Sequence, residues 1–143
     1  MKMIRGLAHT GLSTRDMEAS LDFYTRLFEG KIIMKIEEPK GTPWIEMLRF
    51  PDGSLLELFY PRPEQFPLSD KLGRNHLAFR TDDIAAMHGL LLENGIQGVT
   101  DIKVARDGNL QMWCTDPNGY RIEIMEYGPD APQLKDGPCV TLY

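Results

Sequence analysis

The chain has 143 residues, 42% hydrophobic and 26% charged, a balance that fits one globular unit or two small modules sharing a core, burying roughly two-thirds of the surface the unfolded chain exposes. Sixteen Lys and Arg against 21 Asp and Glu leave a net charge of -5, with both signs interspersed, which excludes a nucleic-acid partner whose binding would rest on phosphate neutralisation. No apolar run approaches bilayer length and residues 1–6 lack the pattern of a secretory signal, so no membrane partner and a cytoplasmic location are expected, with Cys114 and Cys139 kept as thiols.

In chain order, residues 7–12 alternate loosely in the manner of a strand, and Ser, Thr and Asp residues able to cap a helix follow. Met17, Leu21, Tyr24, Leu27 and Phe28 then recur at steps of three or four, predicting a helix, with Gly30 in the place of a left-handed C-terminal cap. Strands are predicted over 31–36, 45–49 and 54–60, with the Pro-Asp-Gly at 51–53 as the turn before the last of them. Residues 62–75 read as a linker. A second strand-like start at 76–79 leads into a helix marked by Ile84, Met87 and Leu91 and stopped by Gly95. Strands over 99–104, 110–115 and 120–127 follow, with Pro-Asn-Gly at 117–119 as the turn. Residues 128–143, with three prolines, read as an extended tail that drapes over a site mouth or a partner, or lies loose.

The two halves repeat. His9 and Asp16 bracket a segment that matches the one between His76 and Asp83 at an offset of 67, and Pro51 and Glu57 match Pro117 and Glu123 at an offset of 66. One single-residue difference between two related modules explains both offsets. The expectation is an α+β fold of tandem βαβββ modules, residues 1–61 and 76–127, forming a curved mixed sheet around a metal-binding cleft.

Four polar residues interrupt this apolar pattern at matched places. Glu57 and Glu123 lie inside apolar strands, where a buried carboxylate needs a cation or strong hydrogen bonds. His9 and His76 open the modules. Either Glu alone reads as part of a solvated strand face, and either His alone as a hydrogen-bonded histidine; the matched occurrence of all four points to a shared task. Two imidazoles and two carboxylates suit a divalent ion of intermediate hardness, Zn, Ni or Co first and Mn or Fe next, with open positions for a bidentate substrate.

With His at the first strand and Glu in the last strand of each module, the chain resembles the vicinal oxygen chelate superfamily over about residues 4–127, and within it bacterial glyoxalase I. The resemblance implies one divalent ion held by His9, Glu57, His76 and Glu123, and proton transfer next to a carbonyl through a metal-stabilised ene-diolate. It implies Glu123 as the base with Glu57 as its partner, a small carbonyl or hemithioacetal substrate, and a homodimer. Glutathione-using relatives carry Arg four residues after the first ligand and Asn four after the second; here these are Ser13 and Pro61, which cannot replace a guanidinium fork or an amide. Glutathione is therefore in question as the thiol.

The candidate substrate-binding residues are Arg74, Phe59 and Trp113, although aromatic residues on strands, Trp44 and Met112 among them, are more often core. His88 reads as a surface histidine and Cys114 as packed. Two further readings compete. An extradiol ring-cleavage dioxygenase uses three protein ligands, which Glu57 opposes; a drug-binding resistance protein without catalysis commonly lacks the ligand set.

Overall fold

The computed structural model describes residues 6–62 and 76–134, and the chain divides into two compact units, Met1–Lys71 and Leu72–Tyr143. Unit 1 contains β1 (Thr10–Ser13), α1 (Met17–Asp22) continued by a π-helical turn (Phe23–Leu27), β2 (Lys31–Glu38), β3 (Thr42–Arg49) and β4 (Leu55–Phe59). Unit 2 contains β5 (His76–Arg80), α2 (Ile84–Glu93), β6 (Lys103–Val104), β7 (Leu110–Thr115), β8 (Arg121–Glu126) and a 3-10 turn (Pro132–Leu134). Each unit forms its own four-stranded mixed sheet, in the orders β1-β4-β3-β2 and β5-β8-β7-β6. The fold is α+β.

The helices start where the Asp residues predict. The Asp16 carboxylate accepts from the Ala19 N–H at 3.0 Å and the Asp83 carboxylate from the Ala86 N–H at 2.8 Å, satisfying amides that the first helical turn leaves without intrahelical partners. In unit 2, Glu126 at the end of β8 adds a second acceptor, its Oε2 taking the Ile84 N–H at 2.8 Å. The turns also follow the sequence: Gly53 and Gly119 have φ of 87° and 96°, and their N–H groups donate to Phe50 and Asp116.

Four expectations need correction. The first strand begins at Thr10 rather than Leu7, so His9 precedes it. The strand predicted over 99–104 shrinks to Lys103–Val104, because Thr100 departs from ladder pairing, its N–H donating to the Trp113 carbonyl and its hydroxyl accepting from the Trp113 N–H. The left-handed residue ending the first helix is Glu29, at φ 58°, not Gly30. Gly30 is there for space: its N–H reaches the Tyr24 carbonyl at 2.9 Å, and an added Cβ would lie 2.9 Å from that oxygen and 3.3 Å from the Phe50 ring. Trp44 is exposed rather than core.

One face of each sheet packs on its helix. In unit 1, Leu48, Leu56 and Leu58 are buried with Phe23, Tyr24, Leu27 and Phe28. The π turn places Phe23 and Phe28 together, rings 5.0 Å apart. In unit 2, Met112, Cys114, Ile122 and Ile124 are buried with Ile84 and Leu91. Each such aliphatic side chain contributes about 1.5–3 kcal/mol through removal from water. Since strand side chains alternate, the odd-numbered residues of β4, β7 and β8 project from the other face, where the polar pairs sit.

Candidate functional site

Register places each His beside its Glu. On parallel strands β1 and β4, Gly11 is opposite Glu57; on β5 and β8, Ala78 is opposite Glu123. His76 lies two residues before Ala78 on β5, hence on the face of Glu123; His9 stands just before β1, and its contact with Glu57 places it there. The His9 Nε2 is 3.3 Å from the Glu57 Oε2, and the His76 Nε2 is 3.2 Å from the Glu123 Oε2. The carboxylate side chains are 13% and 14% exposed, so both are nearly desolvated, while the imidazoles are 43% and 33% exposed. Two units of different sequence thus build the same donor pair at nearly the same separation, with carboxylates buried to nearly the same degree.

The donor pairs fit a divalent ion. Ligand atoms at about 2.1 Å from a metal at neighbouring corners of its shell lie about 3 Å apart, and imidazole nitrogen with carboxylate oxygen suits Zn, Ni, Co, Mn and Fe. Each Glu occupies a strand hydrogen-bonded on both sides, between β1 and β3 or between β5 and β7, which fixes its backbone. The structure brings the four sequence-predicted donors together in twos, His9 with Glu57 and His76 with Glu123. Within neither unit do the described residues gather three or more His, Cys, Asp or Glu.

The other nominated residues differ in placement. Phe59 is half-buried on the Glu57 face, its ring 3.1 Å from where a Cβ on Gly11 would be, and 6.4 Å edge-on from the Trp44 ring. Trp113 is opposite Glu123 on β7, half-buried, with its ring 5.0 Å from His76. Arg74 lies outside the described residues, as does Cys139. Met112 is fully buried core. Cys114 is packed, and burial pushes its thiol up to about 12, leaving it un-ionised and unreactive near neutrality. His88 is half-buried on α2. The first part of the tail is fastened to its own unit: the Gly128 N–H donates to Asn109, and the Asn109 amide donates to Gln133.

Two arginines went unremarked in the sequence. The Arg121 guanidinium lies 4.2 Å from the Trp113 ring centroid, and Arg80 lies 5.8 Å from that of Tyr127. Strand alternation was the available signal, since Arg121 is two residues before Glu123 and Arg80 four after His76. A buried carboxylate on the opposite face of unit 1 was missed as well: Glu46 accepts from the Tyr60 hydroxyl and from Lys35, each at 3.1 Å. Burial, followed by the bond to Glu46, raises the Tyr60 phenol above its ordinary value, and the bond to Glu46 raises Lys35.

A sequence model described as the Glyoxalase/Bleomycin resistance protein/Dioxygenase superfamily matches residues 6–124. The chain belongs to this superfamily. Among its superfamily relatives, the uncharacterized protein YwbC of Bacillus subtilis (strain 168) is 31% identical over 93% of this chain and 97% of its own length. A lactoylglutathione lyase of Escherichia coli O157:H7 is 26% identical over 84% of this chain and 91% of its own. The fold is shared with a mutant of the fosfomycin resistance protein FosX from Listeria monocytogenes, solved with Mn(II) and 1S,2S-dihydroxypropylphosphonic acid: TM-score 0.67, 16% identity, covering 86% of this chain and 90% of that one. Superfamily members commonly bind a divalent metal and a small molecule, and often dimerise. No described helix is long and apolar enough to cross a membrane.

Proposed function

We propose that this protein is a metal-dependent lyase or isomerase of the glyoxalase I kind, acting on a small carbonyl compound or hemithioacetal by proton transfer next to the carbonyl. The observation that carries the reading is the duplicated His–Glu pair, 3.3 and 3.2 Å across, with both carboxylates nearly desolvated. His9, Glu57, His76 and Glu123 would hold one divalent ion (Zn, Ni or Co, with Mn and Fe as further choices), either within one chain or across a homodimer. When bound, the ion polarises the substrate oxygens and stabilises the negative charge that develops as the carbon-bound proton leaves.

The chain's own groups perform the rest. Glu123 takes the proton from carbon and returns it to the neighbouring atom, and Glu57 is its partner on the opposite face. Position favours this work, because a base held on a hydrogen-bonded strand can be kept within reach of the proton it takes. His9 and His76 would supply the imidazole nitrogens that hold the ion. Phe59 and Trp113, each half-buried beside a carboxylate, shield the transferred proton from water.

Metal analysis of protein purified without chelator, followed by a methylglyoxal assay with glutathione and with other thiols, tests the proposal. About one divalent ion per site and thiol-dependent turnover are expected, with glutathione a poor thiol because Ser13 and Pro61 offer no guanidinium or amide. Full activity after thorough chelation would overturn it.

A further inference from the structure

The Glu123 face of unit 2 carries charge that its counterpart lacks. Arg121 is directly opposite His76 in the parallel register, and Arg80 is opposite Met125, so both share a face with Glu123 and bracket the His76–Glu123 pair along the strands. The Arg121 guanidinium rests over the Trp113 ring, 4.2 Å from its centroid, and Arg80 lies farther out, 5.8 Å from the Tyr127 centroid, within cation–π range. No described carboxylate lies within ion-pair distance of either. At the offsets of the repeat, Arg121, Arg80, Trp113 and Tyr127 correspond to Leu55, Ser13, Met47 and Pro61. The arginine-on-aromatic arrangement is therefore a property of unit 2, not of the shared fold.

Stacking uses the flat face of a guanidinium and leaves its edge N–H donors free for a bidentate carboxylate. It also removes rotamer freedom before any ligand arrives, so less entropy is lost on binding. Arg121 stands about 7 Å along the strand from Glu123, which sets an anion a few bonds from a carbon within reach of Glu123.

We propose that Arg121 and Arg80 are specificity-determining residues that hold the anionic end of the substrate, making the substrate class a small carbonyl compound or hemithioacetal that bears a carboxylate. The inference rests on the proton-transfer reading above.

The full-length, metal-loaded protein is assayed with methylglyoxal hemithioacetals of 3-mercaptopropionate, 2-mercaptoethanol and cysteamine. The expected kcat/KM is about tenfold or more higher for the anionic thiol than for the neutral one, and lowest for the cationic one. That ratio falls toward one in Arg121→Gln and in the Arg80→Gln, Arg121→Gln double variant, and is partly restored by Arg121→Lys. A ratio near one in the parent protein, or an unchanged ratio in the double variant, overturns the inference. An independent arm titrates 3-(methylthio)propionate against 3-(methylthio)propanol and follows Trp113 fluorescence in a Trp44→Phe background. A saturable change is expected with the carboxylate alone, and its loss is expected in Arg121→Gln; equal responses to both compounds count against the anion site. Absence of turnover with every thiol sinks the proton-transfer reading, while the titration still decides the anion site.

Discussion

Units 1 and 2 agree where the backbone decides and part where side chains do. Both place His Nε2 and Glu Oε2 within 3.3 Å, with the Glu on the second strand of a four-stranded sheet. Around Glu57 the neighbours are apolar: Met47 opposite it, and Phe59 laid over Gly11. Around Glu123 they are Trp113, Arg121 and Arg80. The outer strands differ too, eight residues in β2 against two in β6. Both donor pairs form at the start of a parallel strand pair, beside a Glu fixed in the second strand, while the flanking positions differ. Flanks are where selectivity can be built without disturbing the chemistry.

The sharpest way to break this comparison is to neutralise each carboxylate in turn. Glu123→Gln is expected to cut turnover by about 10²–10⁴-fold, the range for a positioned base, with unchanged circular dichroism; Glu57→Gln should cost less, and equal losses would erase the proposed division of roles. Next come the two cores. Leu58→Ala and Ile124→Ala, at positions 0% and 1% exposed, should each lower stability by about 2–5 kcal/mol in urea unfolding, and a much smaller effect on either side would show that unit to be loosely packed.

The helix ends separate the units again. Gly30→Ala meets the Tyr24 backbone oxygen and should cost about 2 kcal/mol. Gly95→Ala meets open space and pays only for its φ of 65°, about 1 kcal/mol. Thermal melts of the two variants give the ranking.

The smallest effect belongs to alkaline pH and to unit 1 alone. Lys35 and Tyr60 both have folded-state values above the ordinary 10.5 and 10.0, so their contribution is complete below about pH 10 and is lost as pH rises through the folded values. Melting temperatures from pH 9 to 12 should decline less steeply in Glu46→Gln than in the parent chain.

Much of this was legible in the sequence because short-range physics sets it. Caps, turns and apolar alternation lie within a few residues of each other, and the duplication exposed His9, Glu57, His76 and Glu123 as a matched set. The rest depends on distant partners. Residues 99–102 read as strand, but Thr100 among them is bonded to Trp113 on another strand through its N–H and its hydroxyl. Trp44 reads as core, yet its strand is exposed at that end. Arg121 and Arg80 went unremarked because only strand register sets them beside the pair.

The π turn at Phe23–Leu27 explains the odd residue in the repeat. The first helix runs for 11 residues through that turn and α2 for ten, matching the drop in offset from 67 to 66. An extra residue in an ordinary α-helix would rotate everything after it by about 100°, swinging Leu27 and Phe28 out of the interior. A single widened turn absorbs the insertion locally and leaves the downstream strands in phase. Deleting one residue there should yield a plain helix like that of unit 2, with the downstream strands still in phase.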